Sequence, residues 1–176
     1  MIKKLALIIG FIICLSSCGK DYVYRIEGEL SNLEDQTVYA VFEKDNYKVV
    51  DTVVCTKPGQ FQIDQNEAGF HCVTIFFADK EHWVTAYLEP GETVKITGDA
   101  NSPLLLQVKG GRTNDKLTAF KKKIAPLLTE LTNLSNSLNS KDLNDTIEET
   151  DIAARLANVN MQLSEEAIRY VKENPD

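Results

Sequence analysis

Four cysteines carry the thiol chemistry open to this 176-residue chain, and their settings separate them. Cys18 closes the tetrapeptide Leu15-Ser16-Ser17-Cys18, which follows Lys3-Lys4 and an apolar run from Leu5 to Leu15. An aliphatic residue, two small residues and a cysteine is the order of a bacterial lipobox. There the thiol accepts a diacylglycerol, a peptidase cuts before the cysteine, and the freed amine is acylated. The run is 11 residues long, against the roughly 20 that a transmembrane helix needs, so it reads as a leader. Cys14 follows Ile12-Ile13, which supply no small residues for cleavage.

Residues 1–17 are therefore expected to be a lipoprotein signal peptide and 18–21 a lipidated tether. Each buried methylene contributes roughly 0.8 kcal/mol to membrane attachment, and two acyl chains hold a protein stably. The expected partner is thus a membrane, bound through acyl chains on Cys18, and the expected address is the bacterial cell envelope at the outer membrane. Gly19-Lys20-Asp21 bears a slight likeness to the short charged signals that send lipoproteins to the cell surface.

Cys55 and Cys72 lie 17 positions apart on what read as different strands. Outside the reducing cytosol two readings stay open: buried thiols, or a structural disulfide worth roughly 3 kcal/mol by loop closure. Redox catalysis normally uses Cys-x-x-Cys at a helix start, where the dipole lowers the thiol pKa, and neither cysteine has that setting. His71 and His82 are the only histidines, and no zinc-like spacing surrounds them. Carboxylates are plentiful, yet nothing in their spacing selects a pair for acid–base work. The chain has no nucleophile elbow, phosphate loop or dinucleotide fingerprint. No catalytic residue, metal ligand or cofactor is expected, and the chain reads as non-enzymatic.

Charge narrows the partners. The formal charge is −7 and becomes −9 once Lys3 and Lys4 leave with the leader. Nucleic acid is not an expected partner, because phosphate neutralisation needs a surplus of lysine and arginine. Lys121-Lys122-Lys123 falls between apolar positions 120 and 124 and reads as the solvated side of a helix.

The elements that must position these residues are mostly strands. From Tyr22 to Lys109 apolar and polar residues alternate: Tyr24, Ile26, Gly28 and Leu30 share one face, Arg25, Glu27 and Glu29 the other. Similar runs follow at Thr37–Glu43, Lys48–Thr56, Gln60–Asp64, Phe70–Ala78, His82–Leu88, Thr93–Thr97 and Leu104–Lys109. Pro58-Gly59 and Pro90-Gly91 each place a fixed negative φ before a residue free to take positive φ, as a type II turn requires. Asp45-Asn46 and Asp79-Lys80 offer polar connections. Without helices between strands, antiparallel neighbours are expected, and Phe70–Ala78, apolar at both parities, suits a central strand.

Trp83, Tyr87 and Tyr39 alternate with inward residues and form a candidate aromatic face for a ligand or glycan, beside the simpler reading of cross-strand packing. Beyond Gly110-Gly111, read as a hinge, Leu117, Phe120, Ile124, Leu127, Leu131, Leu134 and Leu138 recur at heptad spacing. Ile152, Leu156, Val159, Leu163, Ala167 and Tyr170 supply a second stripe, and Asn139–Thr146 turns the chain between them. Pro126 should kink or divide the first helix, and Thr113 or Asn114 is the expected N-cap. The expected architecture is mainly β with an α appendage. An antiparallel β-sandwich or barrel of about eight strands over 22–109 is followed by a helical hairpin over 110–176. The hairpin would serve a protein partner or a homodimer.

Three segments carry a family resemblance: Tyr24-Arg25-Ile26-Glu27-Gly28; Val50-Asp51-Thr52 leading through Pro58-Gly59-Gln60-Phe61 to Ile63; and Leu88-Glu89-Pro90-Gly91-Glu92 to Ile96-Thr97-Gly98. With Gly111 to Phe120, they resemble the uncharacterised amino-terminal β-domain of thioredoxin-like lipoproteins of the Bacteroidota type. In such proteins a phrase like Tyr170-Val171-Lys172-Glu173-Asn174-Pro175 leads into a thioredoxin fold bearing Cys-x-x-Cys. The resemblance implies no redox residue here, because the chemistry of that family sits in the part that follows. Three functions are therefore expected in turn: a non-catalytic binding or accessory lipoprotein, the amino-terminal region of a thiol-disulfide oxidoreductase, or a glycan- or small-ligand-binding sandwich.

Overall fold

The computed structural model describes residues 23–34, 37–77, 81–139 and 146–175. The expected leader, Cys18 and the expected tether, Asp79-Lys80 and most of the expected Asn139–Thr146 connection lie outside the described residues. Eight strands run β1 (Tyr24–Ser31), β2 (Thr37–Lys44), β3 (Tyr47–Val54), β4 (Gln60–Gln65), β5 (Cys72–Phe76), β6 (Trp83–Tyr87), β7 (Thr93–Asp99) and β8 (Gln107–Lys109). Three helices follow: α1 (Arg112–Lys123), α2 (Ala125–Asn139) and α3 (Thr146–Glu173).

The strands form two four-stranded sheets, ordered β4-β1-β7-β8 and β3-β2-β5-β6, so the fold is an open sandwich and not a barrel. One core lies between them, with Ile26 and Ile96 from the first sheet against Phe42, Val73 and Ile75 from the second. Burying each such side chain contributes roughly 1.5–3 kcal/mol. Tyr24 is buried with its ring, yet its hydroxyl accepts the Gly69 N–H at 3.0 Å, so the phenol oxygen is satisfied.

Most neighbours are antiparallel as expected, with one correction: β1 and β7, the central pair of the first sheet, run parallel. A parallel pair needs a long crossover. Here the second sheet supplies it, since β2, β3, β5 and β6 all lie between the two in the chain. Both proline-glycine turns form. Gln60 N–H donates to Lys57 and Glu92 N–H to Glu89, with Gly59 and Gly91 at φ +76° and +82°. Gly28 stands opposite Phe61, and an added Cβ would come within 2.1 Å of the phenyl ring. The glycine leaves room for the ring to lie across its own backbone.

The helical stripe is divided as the proline demands. α1 ends at Lys123 with Ile124 as its C-cap residue, and Pro126 occupies the first turn of α2, where its missing N–H is not needed. α2 and α3 pack as the expected antiparallel pair through Leu134, Ile152 and Val159, flanked by Leu127, Leu131 and Leu156. Outside that seam Glu130–Arg155 at 3.1 Å ties α2 to α3, and Lys123–Glu166 at 3.2 Å ties the end of α1 to α3. Among the described residues no helix is long and apolar enough to cross a membrane.

Candidate functional site

The two outer faces of the sandwich differ in kind. The outer face of β4-β1-β7-β8 is polar: Arg25 grips Asp64 through two bonds of 2.7 Å, and Glu27 approaches Lys95 at 3.7 Å. On β3-β2-β5-β6 the outward residues form transverse rows. One runs Thr52, Tyr39, Phe76, Trp83 and the next Val50, Val41, Thr74, Thr85. Trp83 is 53 % exposed, Val50 62 % and Val54 69 %. The Phe76 and Trp83 rings meet at 6.1 Å between centroids, and Thr74 and Thr85 share a hydrogen bond of 3.1 Å between their hydroxyls. A third row ends the face with Lys48, Glu43, Cys72 and Tyr87, the first two paired at 2.6 Å.

The structure thus brings Tyr39, Trp83 and Tyr87 onto one face, with Tyr39 and Trp83 on either side of Phe76. Sequence alternation identified those three and missed Phe76, Val50 and Val54. The signal for the valines was the doublet pattern Val49-Val50 and Val53-Val54, in which one valine of each pair must face outward. Val49 and Val53 pack against the core, so Val50 and Val54 do not.

At the β6 edge the face ends in a joint with α1. The expected caps Thr113 and Asn114 are not at the helix start; Gly111 is the N-cap residue. Asn114 lies inside α1, 2 % exposed, where its carboxamide oxygen accepts the Tyr87 N–H at 2.8 Å and its nitrogen donates to the Tyr87 carbonyl at 2.7 Å. Thr118 treats β8 the same way, accepting from Val108 N–H at 3.1 Å and donating to Val108 carbonyl at 2.5 Å. The terminal amide of Arg112 is met by the Glu89 carboxylate at 3.0 Å. Gly110, at φ +98°, passes so near β7 that a Cβ would lie 2.1 Å from the Thr93 oxygen. Gly110-Gly111, read as a hinge, thus forms the passage from β8 into α1. Beside it, Tyr87, Arg112, Lys116, Leu117, Tyr170 and Asn174 line a shallow cleft of about 330 Å³.

The candidate disulfide does not form: Cys55 and Cys72 are both thiols. Cys72 stands opposite Glu43, whereas Cys55 lies just past Val54, which stands opposite Thr37. Six residues along a strand is about 20 Å, far beyond the roughly 7 Å between Cα atoms that a disulfide spans. Cys55 packs against the core, while on the outer face burial, followed by the Glu43 charge, pushes the Cys72 thiol above its ordinary pKa. His71 is exposed and bonds Asp45 at 2.9 Å, which holds that carboxyl below the usual range. His82 precedes β6, its carbonyl accepting from Phe77. Of the lysine triplet, Lys122 and Lys123 are exposed, but Lys121 is half-buried and its pKa is lowered by that burial. Among the described residues no group of three His, Cys, Asp or Glu could hold a metal ion.

Two sheets enclosing one core, with an edge helix seated on two strands, define a helix-capped β-sandwich whose most distinctive surface is apolar. Residues 24–117 match the family model of DUF4369, a domain of unknown function, and the chain belongs to that family. The match takes in all eight strands and the first half of α1, including Asn114. No curated protein and no solved structure matches the chain.

Proposed function

We propose that this chain is a non-catalytic interaction module of the bacterial envelope. Acyl chains on Cys18 hold it on the outer membrane, and it engages a protein partner through the outer face of β3-β2-β5-β6. The observation that carries the interaction reading is the contrast between the two outer faces. One carries the pairs Arg25–Asp64 and Glu27–Lys95, and the other, charged only at its Lys48–Glu43 row among the described pairs, presents Val50, Val54, Trp83 and Tyr87 to solvent. Val50 and Val54 on β3 and Trp83 and Tyr87 on β6 are linked across the face by the half-buried Tyr39, Val41 and Phe76, and exposed apolar surface of this kind marks an interaction site. The exposed valines favour a protein over a glycan, since Val50 and Val54 offer a sugar no hydrogen bond.

The anchoring reading rests on the Lys3-Lys4 leader and on Leu15-Ser16-Ser17-Cys18. Its test is fractionation with mass spectrometry. The wild-type chain should sediment with membranes and begin at an acylated Cys18, and Cys18→Ala should release it or leave the leader uncleaved. An unmodified amino terminus in the wild type rejects the anchor.

A second reading, the amino-terminal region of a thioredoxin-like thiol-disulfide oxidoreductase, is favoured by the motif resemblance and by α3. Ile168 and Val171 are exposed near its end, an apolar surface suited to a neighbouring domain. On the first reading the full chain leaves insulin disulfides at their uncatalysed rate of reduction; measurable turnover rejects the non-catalytic assignment.

A further inference from the structure

The sandwich has two open sides, and the protein treats them differently. On one side Asn114 and Thr118 occupy the outward backbone groups of Tyr87 at the end of the edge strand β6 and of Val108 in the edge strand β8. On the other, β3 ends its sheet as an eight-residue strand, Tyr47-Lys48-Val49-Val50-Asp51-Thr52-Val53-Val54, with no proline. Edge strands are normally blunted by short length, proline, bulges or outward lysines. β3 has a lysine only near its start, and Glu43 of β2 draws Lys48 back at 2.6 Å.

Register decides which backbone groups face outward. Lys44 and Tyr47 flank a two-residue turn, which makes them a hydrogen-bonded pair, and such pairs alternate along an antiparallel ladder. Residues 47, 49, 51 and 53 therefore bond β2, and Lys48, Val50, Thr52 and Val54 direct their N–H and C=O groups away from the sheet. An incoming antiparallel strand must pair with those even-numbered residues.

We propose that the occupant is β3 of a second copy of this chain, paired antiparallel about a two-fold axis at Thr52. That register sets Thr52 against the partner's Thr52, and Val50 against the partner's Val54, on the outer face. Val50 and Val54 are the two most exposed large apolar residues of the sandwich, and the pairing covers each with the other. Asp51 then stands opposite the partner's Val53. An axis at Asp51 would oppose two carboxylates, which is destabilising, and an axis at Val50 would leave Val54 beyond the end of the partner's strand. The axis is normal to the sheet, so the two apolar outer faces join into one across eight strands. The proposal shares Val50 and Val54 with the face proposed above but rests on the sheet edge, so Trp83, which lies on β6 away from that edge, distinguishes the two.

The test is the mass of the full chain in mild detergent by size exclusion with light scattering, together with amide exchange of β3. The wild type should be a dimer with slow exchange at Val50, Thr52 and Val54. Thr52→Pro removes one outward N–H without touching the β2 ladder and should give a monomer. Val50→Lys, at a site outside the core, should do the same with an unchanged circular dichroism spectrum. In Thr52→Pro, exchange at Val50 and Val54 should quicken while Val49, Asp51 and Val53 stay slow. Trp83→Ala should leave the dimer intact. A wild type that is monomeric throughout, or a dimer that survives both β3 variants, overturns the pairing. So does slow exchange at the even-numbered amides only when a different protein is bound.

Discussion

The carboxamide of Asn114 meets the backbone of Tyr87 as a neighbouring strand would, accepting its N–H at 2.8 Å and donating to its carbonyl at 2.7 Å. A helix thereby supplies the missing partner of an edge strand. Replacing Asn114 with Ala leaves both Tyr87 groups without that partner at a part-buried site. Each unsatisfied group costs roughly 1–3 kcal/mol, so Asn114→Ala, which strips two, should destabilise the fold by about 2–6 kcal/mol in urea unfolding. Thr118→Val, which keeps the shape and loses both bonds to Val108, should likewise cost about 2–6 kcal/mol. Little change in either midpoint would mean that α1 is held by apolar packing alone.

Gly28 and Phe61 form the second pair that local pattern cannot explain. Gly28→Ala places a methyl against the Phe61 ring and should cost about 1–3 kcal/mol through overpacking. Phe61→Leu empties part of that space, so the double variant should be more stable than the two single losses predict when added. Strict additivity would show that the ring does not answer to the glycine.

Acid stability should depend on Arg25 and Asp64. The Arg25 hydrogen bonds hold the Asp64 carboxyl below its ordinary pKa. A depressed folded-state pKa contributes stability that is complete above the unfolded value of about 4 and is lost as pH falls through the folded value. Asp64→Asn should therefore lower stability at neutral pH and flatten its decline below pH about 4. The pair is partly exposed, so the effect should be small and should shrink in high salt.

Cys55 and Cys72 should both alkylate after denaturation without reductant, mapped by peptide mass spectrometry. In the folded chain Cys72 should react slowly at neutral pH and faster in alkali, because burial raises its thiol pKa. A peptide pair joined through the two sulfurs would contradict the register of β2, β3 and β5.

The strands were legible because alternation survives wherever one face is buried, and the turns because Pro58-Gly59 and Pro90-Gly91 supply the dihedrals a type II turn needs. Partnering was less legible. Nothing local to Arg25-Ile26-Glu27 says that β7 lies beside it in parallel, since that follows from where the second sheet carries the chain. Asn114 misled for a related reason. An asparagine just before an apolar stripe resembles an N-cap, but the open groups of Tyr87 outcompeted the helix's own amides, and Gly111 took the capping position. The candidate face was half visible. Tyr39, Trp83 and Tyr87 stand out by alternation, whereas Val50, Val54 and Phe76 belong to strands apolar at both parities, which read as buried on both sides.

Trp83 is the only tryptophan in the chain, so one fluorine label reports on the proposed interaction face alone. Purified full chain carrying 5-fluorotryptophan should show a solvent-exposed resonance in mild detergent. On reconstitution into unlabelled outer-membrane vesicles with their native proteins, the resonance should shift and lose its response to a water-soluble quencher. Protein-free vesicles of the same lipids should leave it unchanged. A resonance equally open to solvent in all three settings would contradict the claim that this apolar face is a surface built to be covered.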